Sequence, residues 1–175
     1  MNRRAFLLGA AALATPGNVF SGQGAKLGER EYALTDILAP SLTPLEGKAE
    51  PGADFAAAAF QKIVAQGAPA PSATEMLDRW GRIEGAIHWR TDDGCETTLQ
   101  ELLVAMGAAR VAPESRDHAL IARCLAAEDA ARAQGLGLWA HRAWRIRDAA
   151  RAERGFGYQI YRGVIVKASE RDGRI

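Results

Sequence analysis

The segment that ends at Trp89 limits the possible folds more than any other part of the chain. One face of this segment carries Ile83, Gly85, Ile87 and Trp89, and the other carries Arg82, Glu84, Ala86 and His88. A period of two is typical of a strand with a single buried face. The preceding residues, Asp78-Arg79-Trp80-Gly81, have the composition of a turn. The sequence therefore predicts a hairpin over residues 74–89.

A strand, a loop and a helix are predicted before the hairpin. Residues 31–38, EYALTDIL, have strand composition, and Pro40 ends the strand. Residues 41–52 contain two prolines and two glycines, which predicts a loop. Residues 54–66 place apolar side chains at helical spacing, with Asp54 as the expected cap.

Two helices are predicted after the hairpin. The run Thr98-Leu99-Gln100-Glu101 has the form of a capping box, and the helix that it opens should end at Gly107. A longer helix should run from a cap at Ser115 to Gln134. A last strand is predicted at 158–168, where it would complete or extend the sheet. This order of elements predicts a mixed α+β fold.

Five short segments, in this order along the chain, resemble the thermonuclease, or micrococcal-nuclease-like, family. They are Ile37-Leu38-Ala39-Pro40, Asp78-Arg79-Trp80-Gly81-Arg82, AIHW at 86–89, LLVAMGAAR at 102–110 and GLGLW at 135–139. The resemblance covers residues 31–140 and implies an OB-type barrel of five strands packed with about three helices. Residues 15–30 read as a flexible lead-in, too short for the family's first two strands, so the barrel is expected to be incomplete there.

The resemblance also implies where catalytic groups would lie. Family members that cleave nucleic acid use a calcium ion held by aspartates, a glutamate as general base and two arginines that bind the phosphate. One arginine position falls on Arg82 and the other on Ala33. The metal aspartate after that strand falls on Leu38, and the general base falls on Ser41. The family's Asp-Gly-Asp-Thr turn, a second source of metal ligands, has no counterpart between residues 14 and 31.

With four of five elements missing, the resemblance implies a pseudoenzyme that has lost calcium-dependent cleavage and serves as a binding or structural module without a cofactor. The alternative is an active nuclease that uses calcium at a displaced or incompletely recorded site. In that case Asp36 is a remote candidate for the metal ligand; otherwise it is a surface or barrel-rim residue. Arg82 also has two interpretations, a retained phosphate contact or a hairpin arginine paired with Asp78 or Glu84. A scaffold of the cell envelope that docks through the tail is a third possibility.

The first fourteen residues predict export. Arg3-Arg4 precede an apolar run from residue 5 to 14, and Ala12-Leu13-Ala14 fits a cleavage site. The pair of arginines resembles a twin-arginine signal, with an ordinary secretion signal as the alternative. Export would make the mature protein periplasmic or secreted. There Cys95 and Cys124 could pair, although two buried, unpaired cysteines fit the sequence equally well.

Charge is unevenly distributed. The chain has 22 Lys and Arg against 21 Asp and Glu, which argues against a strongly electrostatic binder of nucleic acid. The tail, residues 141–175, has nine basic and four acidic residues. Arg142, Arg145 and Arg147 around Trp144 form the best candidate for weak nucleic-acid binding; a solvated surface is the simpler interpretation. Each of the four tryptophans could either stack on bases or pack in the core.

Overall fold

The computed structural model describes residues 18–44, 47–70, 76–91, 93–113, 117–151 and 159–166. Residues 1–17, with the predicted export signal, lie outside the described residues. The helices and strands have the following bounds: β1 Asn18–Ser21, β2 Gly24–Leu27, β3 Arg30–Leu34, β4 Ile37–Leu38, α1 Ala53–Val64, β5 Gly67–Pro69, β6 Met76–Leu77, β7 Ile83–Gly85, β8 His88–Thr91, β9 Glu96–Thr98, α2 Leu99–Ala105, β10 Arg110–Val111, α3 His118–Ala133, β11 Arg147–Asp148 and β12 Tyr161–Arg162.

The prediction of a mixed α+β fold is confirmed by the three helices and the small sheets found in these ranges. The largest sheet has the order β1-β2-β3-β7-β6. Strands β5, β8 and β9 form a second sheet, and β4 pairs with β10. A common core, centred on Phe60, Trp89, Leu99 and Leu103, lies beneath the sheets and against α1 and α2.

The prediction of a flexible lead-in is wrong for residues 18–27. These residues form β1 and β2, which pair with each other and then with β3, so the N-terminal strands of the barrel are present. The sequence signal was weak because both strands are only four residues long, and β2 begins with Gly24 and Ala25. Their pairing with β3 supplies what local propensity lacks: Ala25, opposite Tyr32, is completely buried.

The single strand predicted over residues 31–38 is in fact two strands. Asp36 has a φ of 67° and interrupts the chain between β3 and β4. This left-handed conformation is uncommon outside glycine, although aspartate tolerates it better than most residues. The Asp36 carbonyl accepts a hydrogen bond of 2.9 Å from Ala112 N–H, which fixes the bend against β10. The alternation of faces therefore does not continue from Leu34 to Leu38.

The hairpin is confirmed in the part that the structure describes. Met76 and Leu77 pair with Glu84 and Ile83, and the turn lies between them. Ile83, Ile87 and Trp89 are buried as the alternation predicts, whereas Glu84 and His88 are exposed. The returning segment is divided into β7 and β8, and these strands belong to different sheets.

The helices follow the predicted positions, with different caps. Thr98 caps α2 by accepting the N–H of Glu101, as predicted. α1 starts after Gly52, whose φ is 86°, and Asp54 lies in its first turn without capping it. Asp117 caps α3, and its carboxylate accepts the N–H groups of Ala119 and Leu120. Ser115, the predicted cap of α3, lies outside the described residues.

Residues after α3 pack back onto the body of the fold. Trp144 is buried, its Nε1 donates to the Pro51 carbonyl at 2.7 Å, and its ring lies 4.4 Å from the guanidinium carbon of Arg110. Gly107 and Gly137 meet backbone to backbone: a Cβ on either glycine would lie 2.4 Å from a carbonyl oxygen of the other segment. Both glycines have positive φ, so a larger side chain at either position would be strained as well as crowded.

The predicted final strand is present in part, but the prediction that it extends the main sheet is wrong. β12 pairs in parallel with β11, in a separate two-stranded sheet. Both strands of this small sheet therefore belong to the tail, residues 141–175. Among the described residues no helix has the length and apolar character needed to cross a membrane.

Candidate functional site at the Asp78–Arg82 turn

The turn between β6 and β7 is held by the carboxylate of Asp78. Its Oδ1 accepts the N–H groups of Trp80 and Arg82, both at 2.9 Å. Its Oδ2 forms an ion pair with Arg82 Nε at 2.7 Å. An aspartate that accepts backbone N–H groups two and four residues ahead fixes the turn locally. The side chain of Arg82 is thus pre-positioned by its own turn.

The electrostatics of this pair favour the charged forms. Partial burial tends to raise the pKa of Asp78, but the hydrogen bonds from Arg82 and from Trp80 N–H outweigh it and lower the pKa below its usual value. The ion pair agrees with the interpretation of Arg82 as a hairpin arginine. Among the described contacts it uses only Nε, so the terminal guanidinium nitrogens can still contact another anion. Arg82 keeps 29% of its side-chain surface exposed.

Trp80, at the tip of the same turn, is 65% exposed. The guanidinium carbons of Arg79 and Arg82 lie 4.0 and 4.9 Å from its ring centroid, within the range of cation–π attraction. A cleft of about 420 Å³ lies beside it and is lined by Glu29, Arg30, Glu31, Leu77, Trp80, Gly81 and Ile83. Trp89, Trp139 and Trp144 are buried, so Trp80 is the tryptophan that a ligand can reach.

The position of the second arginine holds no charge. Ala33 lies in β3 opposite Glu84 of β7, one residue along from the buried pair of Tyr32 and Ile83. Because side chains alternate along a strand, Ala33 and Glu84 lie on the face away from the core. At this point the sheet presents a methyl group and a carboxylate instead of a phosphate-binding arginine.

A turn that sequence reasoning missed lies between β1 and β2. It consists of Ser21-Gly22-Gln23-Gly24, which joins the end of β1 to the start of β2. The resemblance places Asp-Gly-Asp-Thr upstream of β3, and this turn shares the glycine at the second position. A Cβ on Gly22 would lie 2.5 Å from the Cβ of Ala39, which explains the glycine. Gln23 Nε2 donates to the Ile37 carbonyl at 2.5 Å. A turn therefore occupies this place in the chain, upstream of the matched family region, and has only the glycine in common with the motif; serine and glutamine stand where the resemblance would place aspartates.

The remaining two positions also lack carboxylates. Leu38 is half-buried in β4, opposite Arg110 of β10. Ser41 follows Pro40 at the start of the loop, and its N–H donates to Glu50 Oε2 at 2.7 Å. Glu50 N–H in turn donates to the Ser41 carbonyl at 2.9 Å. Glu50, which sequence reasoning did not single out, closes this loop and brings a carboxylate next to Ser41.

These side chains do not fit a calcium ion. Calcium requires six to eight oxygen ligands, including carboxylates. The family positions here offer an amide at Gln23, an alkyl group at Leu38 and a hydroxyl at Ser41. Within the ranges that the structure covers, no group of three His, Cys, Asp or Glu side chains could hold a metal ion.

Asp36, the remote candidate for a metal ligand, lies at the bend between β3 and β4. Thr35 Oγ1 donates to its carboxylate at 2.7 Å. Its negative charge is one of the smaller causes that raise the pKa of the Cys124 thiol in α3. Asp36 does not share a continuous strand face with Leu34 and Leu38, because its left-handed conformation interrupts the strand.

The arginines of the tail are not assembled around an accessible tryptophan. Arg142 and Arg145 are exposed and Arg147 is half-buried in β11. Trp144, between them in sequence, is buried against Arg110, so it cannot stack on a base. The patch therefore retains exposed charge but lacks the aromatic platform that sequence reasoning gave it.

The two cysteines are free and unpaired in the structure. Cys95 is exposed next to β9, whereas Cys124 is buried in α3. Burial is the largest cause that raises the pKa of the Cys124 thiol, to about 11. A thiol with this pKa remains protonated at neutral pH and is a poor nucleophile.

Comparison with known proteins agrees with this geometry. The family model for the staphylococcal nuclease homologue domain matches residues 32–141, which is more than half of the chain. A comparison with curated proteins gave no match. The matched residues include the Asp78–Arg82 turn and the positions of Ala33, Leu38 and Ser41, so the chain belongs to the staphylococcal nuclease homologue family.

Proposed function

We propose that this chain is an exported, non-cleaving member of its family that binds single-stranded nucleic acid at the Asp78–Arg82 turn. The proposal rests on one contrast. The turn keeps an exposed tryptophan flanked by two arginines, whereas the four other family positions carry Gln23, Ala33, Leu38 and Ser41. The site therefore keeps residues that can bind nucleic acid but lacks the residues that would cleave it.

Loss of cleavage follows from the chemistry of the missing groups. A positioned general base contributes about 10² to 10⁴ in rate, and a metal ion stabilises the charge that builds on the phosphate. Serine at the base position is not a base at neutral pH, and leucine cannot hold calcium. Arg82 alone shares its charge with Asp78, so it supplies one partly compensated phosphate contact.

Binding of a single strand without cleavage requires an aromatic ring on which a base can stack and positive charge that contacts the phosphates. An aromatic ring contributes about 1–3 kcal/mol per stacked base, with little dependence on sequence. Trp80 offers such a ring, and Arg79 and Arg82 offer charge next to it. Glu29 and Glu31 line the neighbouring cleft and oppose phosphate, so binding should be weak and depend mainly on stacking.

Replacement of Trp80 by alanine is expected to lower the affinity for a labelled oligothymidylate at least about fivefold, since one stacked base is lost. Fluorescence anisotropy at two salt concentrations measures the effect. Met76→Ala is the matched control, because Met76 is 71% exposed in the neighbouring strand β6. Equal affinities of the wild-type and Trp80→Ala proteins would refute binding at this turn. Calcium-stimulated shortening of the oligonucleotide would instead support an active nuclease.

Export of the protein is the second part of the proposal, supported by Arg3-Arg4 and the apolar run that follows. Conversion of both arginines to lysine is expected to retain the protein inside the cell, because a twin-arginine signal requires the arginines themselves. Cell fractionation and immunoblotting measure the distribution. Export that persists in the double-lysine variant would rule out the twin-arginine route and leave an ordinary secretion signal.

A further inference from the structure

An unusual apolar segment follows β12. Val164, Ile165 and Val166 are 88%, 85% and 94% exposed, more than any other large hydrophobic residues in the described ranges. Soluble proteins seldom leave consecutive β-branched aliphatic side chains in water unless the side chains contact a partner. We call residues 163–166 the apolar tip.

The apolar tip is anchored at its base. β12 pairs with β11, and Arg147 N–H donates to the Ile160 carbonyl at 3.0 Å. A Cβ on Gly163 would lie 2.7 Å from the Cβ of Ala149, so the glycine allows the chain to pack closely against the turn at 149–151. The three exposed side chains therefore come directly after a segment that is held in place by β11 and by the turn at 149–151.

Two arginines, Arg147 and Arg162, lie beside this support. A cleft of about 470 Å³ at the base of the tip is lined by Ile146, Arg147, Asp148, Arg162, Gly163 and Val164. The Asp148 carboxylate in this cleft accepts the N–H of Ala150 at 2.9 Å. In sequence, residues 141–175 contain nine basic and four acidic residues. The tail thus combines aliphatic side chains with a surplus of arginine.

We propose that the apolar tip inserts into an anionic lipid surface while the neighbouring arginines contact lipid phosphates. Aliphatic side chains that enter the acyl boundary, together with basic residues at the headgroups, are typical of peripheral membrane binding. A second copy of the chain fits this surface less well, because two tails with the same surplus charge would repel each other. Nucleic acid fits less well too, because valine and isoleucine provide no stacking surface.

The test is sedimentation of the full chain with vesicles of phosphatidylcholine alone or with about 30% phosphatidylglycerol. We expect binding only to the anionic vesicles, and a loss of at least about tenfold in affinity when Val164, Ile165 and Val166 are all changed to serine. Arg162→Gln should lower binding about fivefold, since one charge near the surface contributes about that factor. High salt should weaken binding of the wild type.

Two matched controls separate the tip from other parts of the chain. Met76→Ser with Leu77→Ser removes exposed apolar surface from β6, and Lys62→Gln removes an exposed charge from α1. Both should bind vesicles like the wild type. All variants keep the apolar residues 5–14, so an equal affinity of the triple-serine variant would assign binding to another segment and overturn the proposal. Equal binding to neutral vesicles would overturn it, and so would a dimer in analytical ultracentrifugation that the triple-serine variant loses.

Discussion

Purified protein is expected to leave single-stranded DNA intact with or without calcium, and replacement of three residues should not create activity. Leu38→Asp, Ser41→Glu and Ala33→Arg together restore a metal ligand, a base and an arginine at the family positions. The ion would still lack the second carboxylate, because Gln23 occupies that place in the β1–β2 turn. A calcium ion with so few strong ligands binds weakly and positions the phosphate poorly.

Addition of Gln23→Asp to the triple variant tests whether the missing carboxylate is what prevents calcium binding. The turn between β1 and β2 already packs closely against the body of the fold, because Gly22 leaves no room for a side chain next to Ala39. We expect the fourfold variant to bind calcium with a dissociation constant on the order of 10⁻³ M, whereas the triple variant should show no binding at this concentration. Isothermal titration calorimetry and a fluorogenic DNA substrate measure binding and cleavage.

The control for this series is Arg82→Ala in the fourfold variant. It should abolish any recovered cleavage without changing calcium affinity, because arginine contacts the phosphate and not the cation. Calcium-stimulated cleavage by the wild-type protein, lost in Arg82→Ala, would contradict the proposed function. Asp36 would then be the first candidate for a displaced ligand, followed by Glu50, whose carboxylate already lies next to Ser41.

Replacement of Gln100 by leucine is expected to lower the free energy of unfolding by about 2–4 kcal/mol. Gln100 is completely buried in the first turn of α2. Its Oε1 accepts the N–H of Ile87 at 3.2 Å, and its Nε2 donates to the carbonyls of Gly85 at 2.7 Å and Thr35 at 3.3 Å. Leucine has a similar volume but leaves these backbone groups without this partner.

Chemical denaturation measures this loss, and Gln66→Leu is the matched control because Gln66 is exposed just after α1. The control should change the free energy of unfolding by less than about 0.5 kcal/mol. A loss in Gln100→Leu as small as that of the control would show that water or local movement replaces the three hydrogen bonds.

Local patterns predicted the parts of this fold that depend on neighbouring residues. The spacing of apolar residues located α1, and Thr98 with Glu101 located the start of α2. The burial of Ile83, Ile87 and Trp89 follows from simple alternation.

Contacts between distant residues account for what the sequence did not reveal. β1 and β2 form because β3 pairs with them, and Gln100 is buried because the ends of β3 and β7 need hydrogen-bond partners. The left-handed conformation of Asp36 had only a weak signal in the sequence, the presence of an aspartate within a run of strand-forming residues. At the site, the resemblance predicted the missing groups at Ala33, Leu38 and Ser41, but only the backbone revealed the turn that carries Gln23.

The contact of Trp144 with Pro51 and Arg110 has a consequence for how the protein can be divided. Family similarity ends at residue 141, three residues before this tryptophan, and begins after β1 and β2. A fragment trimmed to those limits would lose two strands of the main sheet and uncover the buried Arg110. A fragment intended to fold independently should therefore extend beyond the region of similarity, from residue 18 to at least residue 144, so that it keeps these contacts.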